Sequence, residues 1–221
     1  MVALFVIGTI VLFITVDLVY QKVAARKAET EAAGATVSPR KLPHVPAGIF
    51  LSPQHAWMCV SPNGRVTVGA DDFIRSAVGE VDQVSLPEPG ARVKRGDVLA
   101  VLSRGGKSVK ILSPASGQVH SVNSEVALHQ HRIAESPYGD GWLCSIAPTA
   151  LAEDLRAMRV AEDAAGWMKS EIERFTQFLS SRIRLSPAYA AVMADGGEII
   201  EGPLGELPEN CWTEFEHAFL S

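Results

Sequence analysis

Hydrophobic and polar positions change their spacing three times along the chain. From Val2 to Tyr20 almost every residue is apolar, with Asp17 as the one charge. At about 1.5 Å per residue, a helix over this run spans about the 30 Å of a bilayer's hydrocarbon. Asp17 falls near its end, where a carboxylate reaches the headgroup layer at small cost. No Lys or Arg precedes the run, whereas Lys22, Arg26 and Lys27 follow it. That asymmetry predicts a retained single-span anchor with its N-terminus outside and the remainder of the chain in the cytoplasm. A cleaved signal peptide would have a basic start and a shorter apolar core. Between Gln21 and Leu42 the chain turns to Ala, Glu, Lys and Thr and closes on Ser38-Pro39-Arg40, the composition of a short helix running into a linker.

From Ile49 to Pro148 apolar residues come in short alternating runs divided by turn residues. Strands are predicted at Val66–Val68, Val81–Leu86, Val98–Ser103, Ser108–Ser113 and Gly117–Val122, with one short helix over Ala70–Ser76. Strands so short and regularly spaced predict a small barrel or sandwich. The period then lengthens. Leu151, Leu155, Met158, Ala161, Ala165 and Met168 recur at helical spacing, as do Ile172, Phe175 and Leu179, so Ala150–Arg184 is expected as a helical region ending before Pro187. Asp195-Gly196-Gly197 reads as a tight reversal. Glu209–Leu220 reads as a last amphipathic helix with Trp212, Phe215 and Phe219 on one side. That apolar stripe either packs on the chain's own β-region or docks a partner subunit; opposite faces can do both.

Composition adds little to this picture but excludes several classes. The 221 residues are 47% hydrophobic and 20% charged, as in an ordinary folded protein. A formal net charge of −5 without a long basic patch argues against general nucleic-acid binding. Cys59, Cys144 and Cys211 are odd in number and far apart, which suggests neither a disulfide framework nor a zinc site. His129 and His131 have the residue type to chelate a metal, but no third ligand accompanies them. No G-x-S-x-G, no phosphate-cradling loop before a helix and no H-E-x-x-H is present, and no enzyme is expected.

The β-region resembles the H protein of the glycine cleavage system. His55-Ala56-Trp57, Val66-Thr67-Val68-Gly69, Gly79-Glu80-Val81, Leu86-Pro87-Glu88-Pro89-Gly90, Val93-Lys94-Arg95-Gly96-Asp97, Ser113-Pro114-Ala115-Ser116-Gly117, Val122-Asn123 and the closing Pro137-Tyr138-Gly139-Asp140-Gly141-Trp142 follow in that family's order. The resemblance implies a mainly β, lipoyl-like barrel-sandwich hybrid. Here it would carry an N-terminal transmembrane helix and a C-terminal helical extension. The expected divisions are 1–20 (anchor), 21–45 (helical linker), 46–149 (H-protein-like domain) and 150–221 (extension). Gly90 and Gly96 fall where strands must reverse, and Trp57 and Trp142 are expected to pack.

The resemblance also implies a lipoyl lysine at a hairpin apex, in a Glu-x-x-Lys pattern. Counted back from Ser113-Pro114, the lysine's position holds Gly106 and the glutamate's holds Ser103. Lys107 comes one residue late, and Lys110 lies well into the returning strand. A Gly105-Gly106 apex predicts a two-residue primed turn that pairs Leu102 with Val109 and Ala100 with Ile111 and sets Arg104 opposite Lys107 in solvent. The leading expectation is therefore a cargo-free, membrane-anchored H-like accessory subunit with protein partners. It would lie on the cytoplasmic face of a bacterial inner membrane, a placement that suits a redox or energy-converting complex. The alternative is a membrane-tethered lipoyl carrier of glycine cleavage type that uses Lys107, with lipoate as cofactor. A sensor retaining a cleft for a free ligand is a third reading.

Overall fold

The computed structural model describes residues 45–182 and 201–221. The anchor over Val2–Tyr20, the linker, Pro187 and the Asp195-Gly196-Gly197 reversal lie outside them. Among the described residues no helix is long and apolar enough to cross a membrane.

Among the described residues ten strands form two antiparallel sheets. They are β1 (Ile49–Leu51), β2 (Ala56–Val60), β3 (Val66–Ala70), β4 (Gln83–Ser85), β5 (Arg92–Val93), β6 (Val98–Arg104), β7 (Lys107–Leu112), β8 (Gly117–Val122), β9 (Cys144–Pro148) and β10 (Arg159–Val160). The larger sheet runs β10-β1-β2-β3-β9-β8-β5 and the smaller β4-β6-β7. Alternation along the strands divides the interior in two. Met58, Val66, Val68, Val119 and Ile146 form one core. Leu51, Trp57, Ala100, Leu102, Val109 and Ile111, from both sheets, form a second and larger one.

The first helix, α1 (Asp72–Val78), starts two residues later than the apolar pattern implies. Asp71 decides the start: its side chain accepts the amides of Phe73 and Ile74, each at 3.1 Å, which satisfies donors the first turn leaves open. Two short helices, α2 (Ser124–Leu128) and α3 (His131–Glu135), follow β8.

The expected helical region over Ala150–Arg184 is divided. Helix α4 (Leu151–Arg156) ends, β10 then pairs with β1, and α5 (Ala161–Ser180) begins at Ala161 with φ +53°. The apolar stripe runs through the break because its halves serve different cores. Leu151, Leu155 and Met158 pack on the smaller core, whereas Met168, Phe175 and Leu179 enter the larger. Ala161 and Ala165, predicted on the stripe, are exposed; Ala164 is buried instead. A 3-10 turn (Pro203–Glu206) and α6 (Glu209–Phe215), continued by a π-turn over Glu216–Leu220, complete the described chain. Trp212, Phe215 and Phe219 share a buried face, as their spacing predicts.

Candidate functional site

The hairpin β6–β7 turns on Gly105 and Gly106, with φ of +57° and +78°. Both values belong to the left-handed region that a primed two-residue turn requires. The register pairs Arg104 with Lys107, Leu102 with Val109 and Ala100 with Ile111, as the sequence implies. Leu102, Val109 and Ile111 are buried beneath the turn, and both glycines are exposed. The Asp82 carboxylate accepts the Gly105 amide and fixes the tip.

The two cations flanking the tip are not left to solvent, contrary to expectation. Lys107 Nζ donates to the carbonyls of Gly205 at 2.9 Å and Leu207 at 2.7 Å. It also stands 5.6 Å from the Trp212 ring centroid, within cation–π range. Trp212 is held in turn by its Nε1–H, which donates to the Leu204 carbonyl at 2.7 Å. Arg104 donates to the carbonyls of Gly202, at 3.1 Å, and of Val78. Farther along β7, the Lys110 amide donates to the Glu216 carboxylate at 2.7 Å. The C-terminal segment therefore uses the hairpin's cations to satisfy its own carbonyls and covers the open edge of β7. Attachment of a lipoyl group by an amide bond requires an amine standing free at the apex. In this arrangement Gly105 and Gly106 form the apex, Lys107 Nζ is engaged by two carbonyls, and Lys110 is on the returning strand.

A groove of about 480 Å³ opens beside the hairpin, lined by Arg75, Gly79, Glu80, Arg104, Glu135 and Glu201 among others. Arg75 pairs with Asp72 and Glu201, and Arg104 is held by carbonyls, so both guanidiniums are already engaged. The histidine rings of His129 and His131 are 5.8 Å apart, and among the described residues no group of three metal-ligating side chains forms. The cysteines are free, and burial pushes the Cys144 thiol up to about 12, away from reactivity.

A second polar cluster was not legible as a site. His55, fully buried, donates from Nδ1 to the Asp71 carboxylate at 2.8 Å, while Nε2 faces Glu171 of α5 at 3.6 Å. The latter distance is that of an ion pair rather than a hydrogen bond. Burial alone would push the imidazole down, but Asp71 and then Glu171 outweigh it, and its pKa lies above the ordinary 6.5. Sequence reasoning saw in His55 only the first residue of a signature. Its partners are distant in the chain, and no local spacing points to them.

A model described as "Glycine cleavage H-protein" matches residues 50–171. The chain belongs to the glycine cleavage H-protein family. The match runs past residue 149 to take in α4, β10 and the first half of α5. The Pyrococcus abyssi (strain GE5 / Orsay) protein named "Probable glycine cleavage system H protein" is 35% identical over 126 residues, which is 57% of this chain and 93% of that one. The glycine cleavage system H protein of Stenotrophomonas maltophilia (strain K279a) is 37% identical over 99 residues, 45% of this chain and 76% of its own. The crystal structure of the Mycobacterium marinum glycine cleavage system H protein aligns with a TM-score of 0.51 at 30% identity, covering 56% of this chain and 98% of that one. The sheet-rich H-protein fold is thus common to this chain and its relatives. The C-terminal segment over the hairpin lies beyond the family match.

Proposed function

We propose that this chain is a membrane-tethered H-protein-family module that works without lipoate, as an interaction subunit on the cytoplasmic face, with no catalytic role of its own. One observation carries the reading: the Lys107 ammonium donates to the Gly205 and Leu207 carbonyls beside a tip made of two glycines. Support for the tether comes from the apolar run Val2–Tyr20 and the cations Lys22, Arg26 and Lys27 after it. A membrane redox or energy-converting complex is the host class proposed.

The second reading, a tethered lipoyl carrier using Lys107, is favoured by family membership and by an amine one residue from the tip. Intact-mass measurement of the native protein extracted from membranes separates the two. The expected mass is that of the unmodified chain. A lipoyl-sized increment that disappears in Lys107→Ala would establish the carrier and end the cargo-free reading. The same preparation tests the tether, which fails if alkaline washing releases the protein without detergent.

A further inference from the structure

Four charged side chains connect the centre of the β-domain with the C-terminal segment, and the hairpin chemistry uses none of them. Asp71 Oδ2 meets His55 Nδ1 at 2.8 Å, and His55 Nε2 faces Glu171 Oε2 at 3.6 Å. Arg174 Nη1 then donates to both Glu171 oxygens at 2.6 Å. From its other nitrogen Arg174 donates to the Ala218 carbonyl at 2.9 Å, and its guanidinium lies 4.9 Å from the Phe219 ring centroid. His55, Asp71 and Glu171 are all buried, at 0%, 0% and 5% exposure.

The arrangement is held at some cost. His55 has a φ of +62°, in the left-handed region that is disfavoured in a residue with a Cβ. That backbone places the imidazole between Phe73, with centroids 3.9 Å apart, and Trp167, at 4.7 Å. With both nitrogens protonated, the ring offers one proton to each carboxylate. With Nε2 bare, its lone pair faces a buried carboxylate and the attraction becomes repulsion. The other charged or titratable groups near the cluster are Tyr138, whose hydroxyl accepts the Asp72 amide, the Asp72–Arg75 pair on α1, and Arg159, whose guanidinium lies 5.5 Å from the Trp167 ring centroid.

We propose that Asp71, His55 and Glu171 form a proton-held clamp. The imidazolium binds α5 to the β-domain and, through Arg174, seats residues 203–220 on the hairpin, and loss of its proton loosens that segment and uncovers Lys107 and the β7 edge. The coupling runs through contiguous side chains and one element with two states, seated and released. Glu171 is held below its ordinary value despite burial, by His55 and Arg174, and the Arg174 guanidinium at 2.6 Å stays beside it when the imidazole loses its proton.

The test is hydrogen exchange of the full-length chain, corrected for intrinsic rates, on either side of the His55 midpoint found by NMR. Above the midpoint, protection of 203–220 and of β7 is expected to fall at least about tenfold while β2, β3 and β9 hold theirs. In Arg174→Gln, at a half-exposed position, His55 should still titrate but the C-terminal segment should no longer follow it. Glu171→Gln should make both α5 and the segment insensitive to pH. The proposal is overturned by equal protection on the two sides, by parallel loss throughout the β-domain, or by a His55 that keeps its proton until the whole domain unfolds. It is also overturned by an Arg174→Gln segment that still follows pH.

Discussion

Trp57 and Gly69 are register partners across β2 and β3, and the indole lies over the glycine. A Cβ added to Gly69 would meet Trp57 Nε1 at 2.5 Å and Cε2 at 2.6 Å. The ring has nowhere to move cheaply, because it is 2% exposed and its Nε1–H donates to the Pro137 carbonyl at 2.9 Å. Substituting Gly69→Ala is therefore expected to lower stability by about 1–3 kcal/mol, read by thermal unfolding. The smaller ring in Trp57→Phe should absorb part of that penalty, so the two substitutions should be non-additive. Strict additivity would mean that the indole is not what Gly69 accommodates. The expectation that Trp57 packs rather than binds is met by these contacts. What the sequence could not show was the indole's carbonyl partner, 80 positions away.

Among the elements, the β6–β7 hairpin was the most legible and its surroundings the least. Gly105-Gly106 between two apolar runs fixes a two-residue turn, and the turn fixes every pairing behind it; local chemistry suffices for both. Nothing local tells that Arg104 and Lys107 meet carbonyls of residues 202, 205 and 207, because those contacts span about a hundred positions. The same limit explains the misread stripe after Ala150, where periodicity continues across β10 into a different core. The cover on the hairpin depends on Trp212, which is buried between the lysine and the Leu204 carbonyl. Trp212→Ala is expected to cost about 3–5 kcal/mol. It should also raise acylation of Lys107 relative to Lys110, whose side chain is already 57% exposed. Peptide mass spectrometry after brief labelling measures the ratio. An unchanged ratio beside a lowered melting temperature would show that Trp212 supports the core but not the cover.

For the molecule as a whole, the buried charges set how stability depends on pH. Glu171 titrates below its ordinary 4.5 in the fold, so its contribution is complete above that value and is lost as pH falls through the folded pKa. His55 titrates above 6.5, so its contribution is complete below 6.5 and is lost as pH rises through the folded pKa. Cys144 and Tyr138, pushed up chiefly by burial, must stay protonated, and their contributions decline only as pH rises beyond 9.0 and 10.0 respectively. Stability should therefore be greatest between 4.5 and 6.5. It should fall on both sides, with the alkaline decline beginning at His55, well before the thiol and the phenol contribute. Urea unfolding of the full chain across this range gives the curve, and His55→Phe separates its parts. Replacing the imidazole by a ring of similar shape keeps the stack between Phe73 and Trp167 but removes the proton, leaving Asp71 and Glu171 without their shared partner. That variant should be less stable at every pH, with its alkaline decline postponed until pH passes 9.0, where the Cys144 thiol of the unfolded chain begins to ionise. A decline that still begins just above 6.5 in the variant would place its origin in some group other than the buried imidazole.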